Sequence, residues 1–239
     1  MRRRFFVEQF ANHTATVEGE LAHHLGRVLR AQPGQLYELS DGQQVWLARV
    51  ESVARERIDF ALVEKIPARH PALDVTLLLS VVKFDAFEWA IEKATELGVS
   101  TIVPLAAARS EKALLAASAK RAGRWTKILL EASQQSRRLR VPALEPLAHP
   151  GHAFSGRAAG SVSVMLSERT GVPLLRDVLP RDKTPKAVLA IGPEGGWTDQ
   201  ELESARTAAF HEASLGKLIL RTETAVVAAL ASLNYALEA

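Results

Sequence analysis

Apolar positions change their spacing along the chain near residue 70, and the change divides the sequence into two regions of different character. In the first region the apolar residues come in short runs. Residues 4–10 read as a strand. Residues 18–30 place Leu21, Leu25, Val28 and Leu29 at i, i+4, i+7 and i+8, the spacing of a short amphipathic helix. Pro33-Gly34 stops it, and three β-type runs come after it at 35–40, 43–53 and 57–66. Asp41-Gly42 between the first two is a hairpin turn signal. A small, mostly β domain over residues 1–68 is expected. Pro67 and Pro71 bracket a stiff linker.

From residue 73 the pattern alternates between strand and helix. LDVTLLLSVV at 73–82 is apolar on both faces, as a strand inside a parallel sheet should be. Residues 86–97 come next as a helix with Phe87, Ala90, Ile91, Ala94 and Leu97 on one face, Glu88, Glu92 and Glu96 on another, and Gly98 as the stop. A strand at 99–105 precedes a long helix at 113–135, which carries Trp125, Ile128, Leu129 and Ala132 as its apolar stripe. Residues 143–160 read as an irregular connection. Strands at 161–166 and 186–191 flank a short helix at 173–179. Thr198 with Glu201 three residues on reads as a capping box that opens a helix. The run 213–215, Gly216, the apolar turn Leu218-Ile219-Leu220 and an apolar helix from Ala225 to Leu237 complete the chain. Alternation of this kind predicts an α/β domain over 73–239, with a mostly parallel sheet covered by helices on both faces. Its loops at 167–172, 192–197 and 215–222 should converge at the strand ends.

Composition narrows the function. The chain has 239 residues, 47% hydrophobic and 24% charged, with no cysteine, so disulfides and thiolate metal sites are excluded. The start MRRRFFVE lacks the apolar core of a signal peptide, and no run approaches the roughly 20 apolar residues that span a bilayer. A cytoplasmic protein without membrane contact is expected. The net charge is +3, but residues 119–140 hold seven Lys or Arg and one Glu, and Arg2, Arg3 and Arg4 form a second cluster. Two basic clusters point to a polyanion such as nucleic acid. His23-His24 has no third ligand nearby, and adjacent helical residues diverge, so no metal site is expected.

The glycine loops exclude the two commonest nucleotide readings. Gly216-Lys217-Leu218 lacks the Lys-Ser or Lys-Thr of a phosphate loop, and GPEGG at 192–196 lacks the dinucleotide spacing. Pro193 removes an amide donor and Glu194 adds a carboxylate, so the loop suits a neutral or cationic ligand better than a polyphosphate.

IGPEGG at 191–196, Leu215-Gly216 and ILRTETA at 219–225 resemble the RsmE family, 16S ribosomal RNA uridine-N3 methyltransferases of the SPOUT class. The amino-terminal MRRRFFV, His23-His24-Leu25, Val28-Leu29-Arg30, EKATELGV at 92–99, Arg109-Ser110 and Gln135-Ser136-Arg137 extend the resemblance over nearly the whole chain. It departs at Lys83-Phe84-Asp85-Ala86-Phe87, where the family carries a glycine and an arginine, and at Lys217-Leu218, where it carries Pro-Arg. The resemblance implies a PUA-like β-barrel that holds RNA, then a SPOUT domain with a carboxyl-terminal trefoil knot. It implies S-adenosylmethionine as cofactor, the small ribosomal subunit as partner, and a homodimer.

On that reading the cofactor residues are Leu166, Gly192, Pro193, Glu194, Gly195, Gly196, Leu215, Gly216, Ile219, Leu220 and Thr224. Arg221 is expected to stabilise charge on the uracil, with Arg137 or Arg138 of a partner chain as the second candidate and Glu194 or Glu223 as candidate bases. RNA contact falls to Arg2, Arg3, Arg4, Arg109, Lys112, Arg137 and Arg138. Two alternatives stay open: a SPOUT enzyme acting on a transfer RNA ribose 2′-hydroxyl, and an RNA-binding assembly factor without catalysis.

Overall fold

A computed structural model describes residues 3–68, 71, 73–156, 160–180 and 186–237. The chain divides into two compact units, Met1–His70 with Ser133–Val141, and Pro71–Ala132 with Pro142–Ala239. A segment from the middle of the chain is thus built into the first unit, which a division at residues 68 and 73 does not foresee.

In the first unit, β1 (Arg4–Phe6), β2 (Thr14–Glu18), β3 (Leu36–Ser40), β4 (Val45–Val53) and β5 (Arg57–Ile66) form a sheet in the order β1-β3-β4-β5-β2. All pairs are antiparallel except β1 with β3. Register shifts between β4 and β5 strengthen the local twist. The sheet curls around Phe5, Val17, Leu39, Val50, Ile58 and Phe60, with Leu25 beneath it. Asp41 closes the β3–β4 turn: its Oδ1 accepts the amides of Gln43 and Gln44, and Gly42 takes φ 82°.

Three local expectations change here. The first strand stops at Phe6 instead of continuing to residue 10. Residues 14–18, not expected as a strand, alternate exposed and buried and form β2. The amphipathic helix is α1 (Gly19–His23), which runs into one π turn at His24–Val28, with Leu29 N donating to His24 O. The wider turn rotates its last residues away from the face set by α1, so Val28 is 62% exposed instead of packing beside Leu25.

The second unit is built on β6 (Asp74–Ser80), β7 (Thr101–Leu105), β8 (Ala143–Leu144), β9 (Val162–Leu166), β10 (Lys186–Ile191) and β11 (His211–Ala213). Their order is β11-β9-β10-β6-β7-β8, and every ladder is parallel. Helices α2 (Phe84–Glu96), α3 (Lys112–Gln135), α4 (Pro150–Ser155), α5 (Leu175–Val178), α6 (Asp199–Thr207) and α7 (Thr222–Leu237) connect and cover it. Leu78, Val188 and Ala190 pack with Phe154 of α4 and Leu202 and Ala205 of α6. The alternate residues Leu77, Leu79, Leu189 and Ile191 are buried too, and α7 packs on β10 and α2. Burial on both faces is why these strands read as continuous apolar runs.

The connection expected at 143–160 is not irregular: it holds β8 and α4. Two residues are too few to show a period, and Pro150 sits at the first helical position, where its missing amide costs nothing. Glu88, expected on a polar face, is buried and paired with Arg121 and Arg124 at 3.3 and 2.7 Å. The capping box is present: Thr198 Oγ1 accepts from Glu201 N, and Glu201 Oε2 accepts from Thr198 N.

Candidate functional site

Strand order reverses between β6 and β10. The chain runs outward from β6 to β7 and β8, then returns across to β9, β10 and β11. Such a switch point opens a crevice at the carboxyl ends of the strands. A crevice of about 1120 Å³ lies there, lined by Leu166–Arg169, Ile191–Glu194, Gly196, Trp197 and Ser214–Ala225. The three loops expected to converge do so. Lys83, Asp85, Ala86 and Trp89 at the start of α2 add a wall, with Arg109 and Leu202.

Each glycine in the first loop has an internal reason. A Cβ on Gly192 would stand 3.0 Å from Trp197 Cε2, and one on Gly195 would stand 3.2 Å from Arg109 Cβ. Gly196 has φ +68°, and a Cβ there would meet Glu168 Oε1 at 3.1 Å. These positions are small because the protein's own side chains fill the space. Trp197 is held in turn by its indole nitrogen, which donates to Leu166 O at 2.9 Å and so joins the loop after β10 to the end of β9. A tight turn completes the loop, with Gly196 N donating to Pro193 O at 2.8 Å. Gly216 differs. Its φ is +141° and nothing lies within 4 Å of a Cβ built on it, so backbone is bare toward open space.

Most of the expected cofactor residues come together. Leu166, Gly192, Pro193, Glu194, Gly196, Leu215, Gly216, Ile219, Leu220 and Thr224 line the crevice. Gly195 does not; it is exposed and stands with its Cα against the Arg109 side chain. Ile219 is 78% exposed, an apolar side chain left in water at the rim. Thr222 Oγ1 donates to Gly192 O at 3.4 Å and ties the start of α7 to the first loop.

Arg221 lines the crevice from the residue before α7 and is exposed; its carbonyl accepts from Ala225 N. Glu223 stands in the first turn of α7, where the helix dipole favours a carboxylate. Glu194 is exposed on the turn, and no hydrogen bond joins it to the loop amides among the described residues.

The expected RNA residues separate. Arg2 lies outside the described residues. Arg3 and Lys112 are exposed. Arg4 is a correction: it is 6% exposed, paired with Glu38 at 2.9 Å, and donates to the carbonyls of Arg137 and Arg138. A guanidinium so engaged holds the segment after α3 in place and has no free donor edge for phosphate. Ser40 Oγ does the same for Leu139 O at 2.6 Å. Arg137 shares Glu38 at 3.7 Å and takes φ 55°. Burial pulls the Arg138 guanidinium down to about 10, which leaves it charged at neutral pH. Arg109 Nη1 donates to Gly195 O at 2.7 Å and braces the loop from the crevice edge.

Trp197, Trp89, Glu168 and Thr222 were not singled out in the sequence. The signal for Trp197 was an aromatic directly after a double glycine. The others needed the topology.

Comparisons with known proteins agree with this geometry. Residues 69–234 match the RNA methyltransferase domain family, and residues 17–63 match the RNA methyltransferase PUA domain family. Ribosomal RNA small subunit methyltransferase E of Synechocystis is 37% identical over 238 residues, covering 97% of this chain and 76% of the relative. The protein of that name from Bacillus subtilis is 30% identical over 99% of this chain and 97% of its own. Among solved structures, ribosomal RNA small subunit methyltransferase E of Neisseria gonorrhoeae bound to S-adenosyl methionine superposes with a TM-score of 0.89 at 30% identity, covering 98% of each chain. A putative methyltransferase of Legionella pneumophila in complex with the same cofactor gives 0.88 at 28% identity, over 99% of this chain and 98% of that one. Crevice, topology and relatives together lead to one conclusion: the chain belongs to the ribosomal RNA small subunit methyltransferase E family.

Proposed function

We propose that this protein transfers a methyl group from S-adenosylmethionine to N3 of one uridine in the 16S RNA of the small ribosomal subunit. The observation that carries the reading is Arg221, a cation held at the amino end of the sixteen-residue helix α7, inside a crevice of glycine loops. The helix dipole and the guanidinium add there to a positive potential. No structural need explains a cation at that end of a helix. Charge that develops on a uracil carbonyl oxygen does explain it.

The residues present suit the cofactor. Gly216 offers bare backbone toward open space, and Leu166, Leu215, Ile219 and Leu220 offer apolar walls for an adenine. The first loop, with a proline and a carboxylate, suits a ligand that bears a sulfonium and no phosphate. When bound, S-adenosylmethionine would supply an electrophilic methyl group, the S–CH3 bond breaking with its electron pair left on sulfur as a neutral thioether. The uracil N3 proton must leave as the N–C bond forms. Glu194 and Glu223, two of the four carboxylates that line the crevice, are the candidate acceptors. Arg221 stabilises the electron pair released onto the flanking carbonyls. Positioning of the base supplies the remainder of the rate.

Two assembly features belong to the same reading. A trefoil knot is supported by the return of the chain after β11 to the β10 loop, where Thr222 meets Gly192. A homodimer is supported by apolar surface left in water, Ile219 in the crevice rim and Tyr235, 94% exposed, on α7. No described helix is long and apolar enough to cross a membrane. A cytoplasmic location is what a ribosomal substrate requires.

Incubation with methyl-labelled S-adenosylmethionine and separated RNAs tests the substrate. Label is expected on unmethylated small ribosomal subunits and not on transfer RNA. Label on transfer RNA alone would move the protein to the ribose-methylating alternative. Absence of calorimetric binding at millimolar cofactor would leave the non-catalytic assembly factor.

A further inference from the structure

We propose that Trp89 is the platform on which the target base stacks when it enters the crevice. The inference rests on the crevice being the site of base methylation, and it assigns a role to a wall that the glycine loops do not provide.

Helix α2 buries Phe87, Ala90, Ile91 and Ala94, and Trp89 falls between them on the outer side. It is 44% exposed. An indole is among the largest apolar groups a protein can leave in water. The other three tryptophans all have partners. Trp125 packs on Phe87 and Phe84 with ring centroids 4.5 and 6.1 Å apart, Trp197 donates to Leu166 O, and Trp46 meets His13 edge-on. Trp89 has no ring or hydrogen-bond partner among the described residues. Lys93 Nζ, one helical turn on, lies 6.0 Å from the ring centroid. That ammonium is already engaged by Glu92 and Glu96 at 2.7 and 2.8 Å.

The indole borders the crevice. Pockets for a single small molecule run from roughly 300 to 1,000 Å³. A crevice of about 1120 Å³ therefore has room for a second ligand beside a cofactor. Five cations, Lys83 and Arg221 among them, share this opening with Trp89, and so do four carboxylates. An exposed aromatic face in a crevice with a small excess of cations suits an unpaired nucleotide: the ring takes the base and the cations take the phosphates. A peptide segment would need apolar pockets or a free strand edge, and the α2 wall offers neither. The occupant is therefore a single extruded uridine.

Two measurements test this. In the first, uridine 5′-monophosphate is titrated into the protein while tryptophan fluorescence is recorded. Quenching is expected in the native protein, with that component absent from W89F. Quenching that persists unchanged in W89F, or no quenching in the native protein, overturns the stacking role whether or not methyl transfer occurs. A native protein that quenches yet transfers no methyl group to small subunits overturns the proposed reaction and leaves the base platform standing.

In the second, W89A, W89F and W89L are compared on unmethylated small ribosomal subunits. Stacking predicts that W89A lowers kcat/KM about ten- to one-hundred-fold. Cofactor affinity and sedimentation should stay unchanged, W89F should recover most of the loss, and W89L should recover little, since it is apolar without a π-face. The proposal is wrong if W89A stays within about twofold of the native rate, or if W89L rescues as well as W89F. It is also wrong if W89A weakens cofactor binding or dissociates the native assembly.

Discussion

Arg4 and Arg221 are both arginines next to apolar residues in sequence, yet the fold assigns them opposite tasks. Arg221 is exposed at the amino end of α7, where the dipole disfavours a cation by about 0.3–1 kcal/mol. Arg221→Ala should thus leave the protein as stable as before or slightly more so, and leave cofactor affinity unchanged. Its kcat should fall about 100- to 1,000-fold, the cost of one lost charge-stabilising group. Full turnover in that variant would remove Arg221 from the reaction. Arg4 is paired with Glu38 behind the carbonyls of Arg137 and Arg138. Arg4→Ala strands a buried carboxylate with only Arg137 at 3.7 Å, so a loss of about 3 kcal/mol in stability is expected. Chemical denaturation measures it. A variant of native stability with weakened RNA binding would return Arg4 to the RNA-facing set. The sequence offered no means to tell the two apart, because the partner of Arg4 is 34 residues away and the carbonyls it holds are more than 130 away.

Elements were legible where the signal is local. The capping box of α6 needs only Thr198 and Glu201, and both hydrogen bonds are formed. Glu201 does more than its position announces: Oε1 accepts from Ala108 N at 2.8 Å, joining α6 to the loop after β7. Thr198→Ala should cost about 1 kcal/mol. Glu201→Ala loses the cap and that long-range bond together and should cost more. Thermal denaturation of the two variants decides this. Equal losses would mean the Ala108 contact contributes nothing. Elements were illegible where the signal is weak or displaced. β2 alternates over only five residues, β8 is two residues long, and the π turn at His24–Val28 rotates Val28 off the face that its spacing predicts. The apolar runs of β6 and β10 were plain because both of their faces are buried.

The whole molecule was legible as a β region and then an α/β region, and the crevice as three loops meeting at strand ends. Two things were not. The segment Ser133–Val141 joins the first unit, which no composition shift marks. The α2 wall of the crevice enters only through the adjacency of β6 and β10, a pairing of strands more than 100 residues apart in sequence. Charge behaves at this scale as a sum. Arg3 and Lys112 are exposed and Arg137 is half-exposed beside Glu38; on the proposed reading they would add to affinity for RNA without reading sequence. The logarithm of RNA affinity should fall steeply with the logarithm of salt, and replacing Arg3 by Ala should lower the slope by about 1. An unchanged slope would take Arg3 out of the interface.

The reaction itself has the most direct check. Small ribosomal subunits lacking the modification are incubated with the protein and S-adenosylmethionine, and the RNA is digested to nucleosides for mass spectrometry. One new product is expected, 3-methyluridine, formed about 100- to 1,000-fold more slowly when Arg221→Ala replaces the native protein. A 2′-O-methylated nucleoside, or no methylated product from a protein that binds the cofactor, would contradict the proposed reaction.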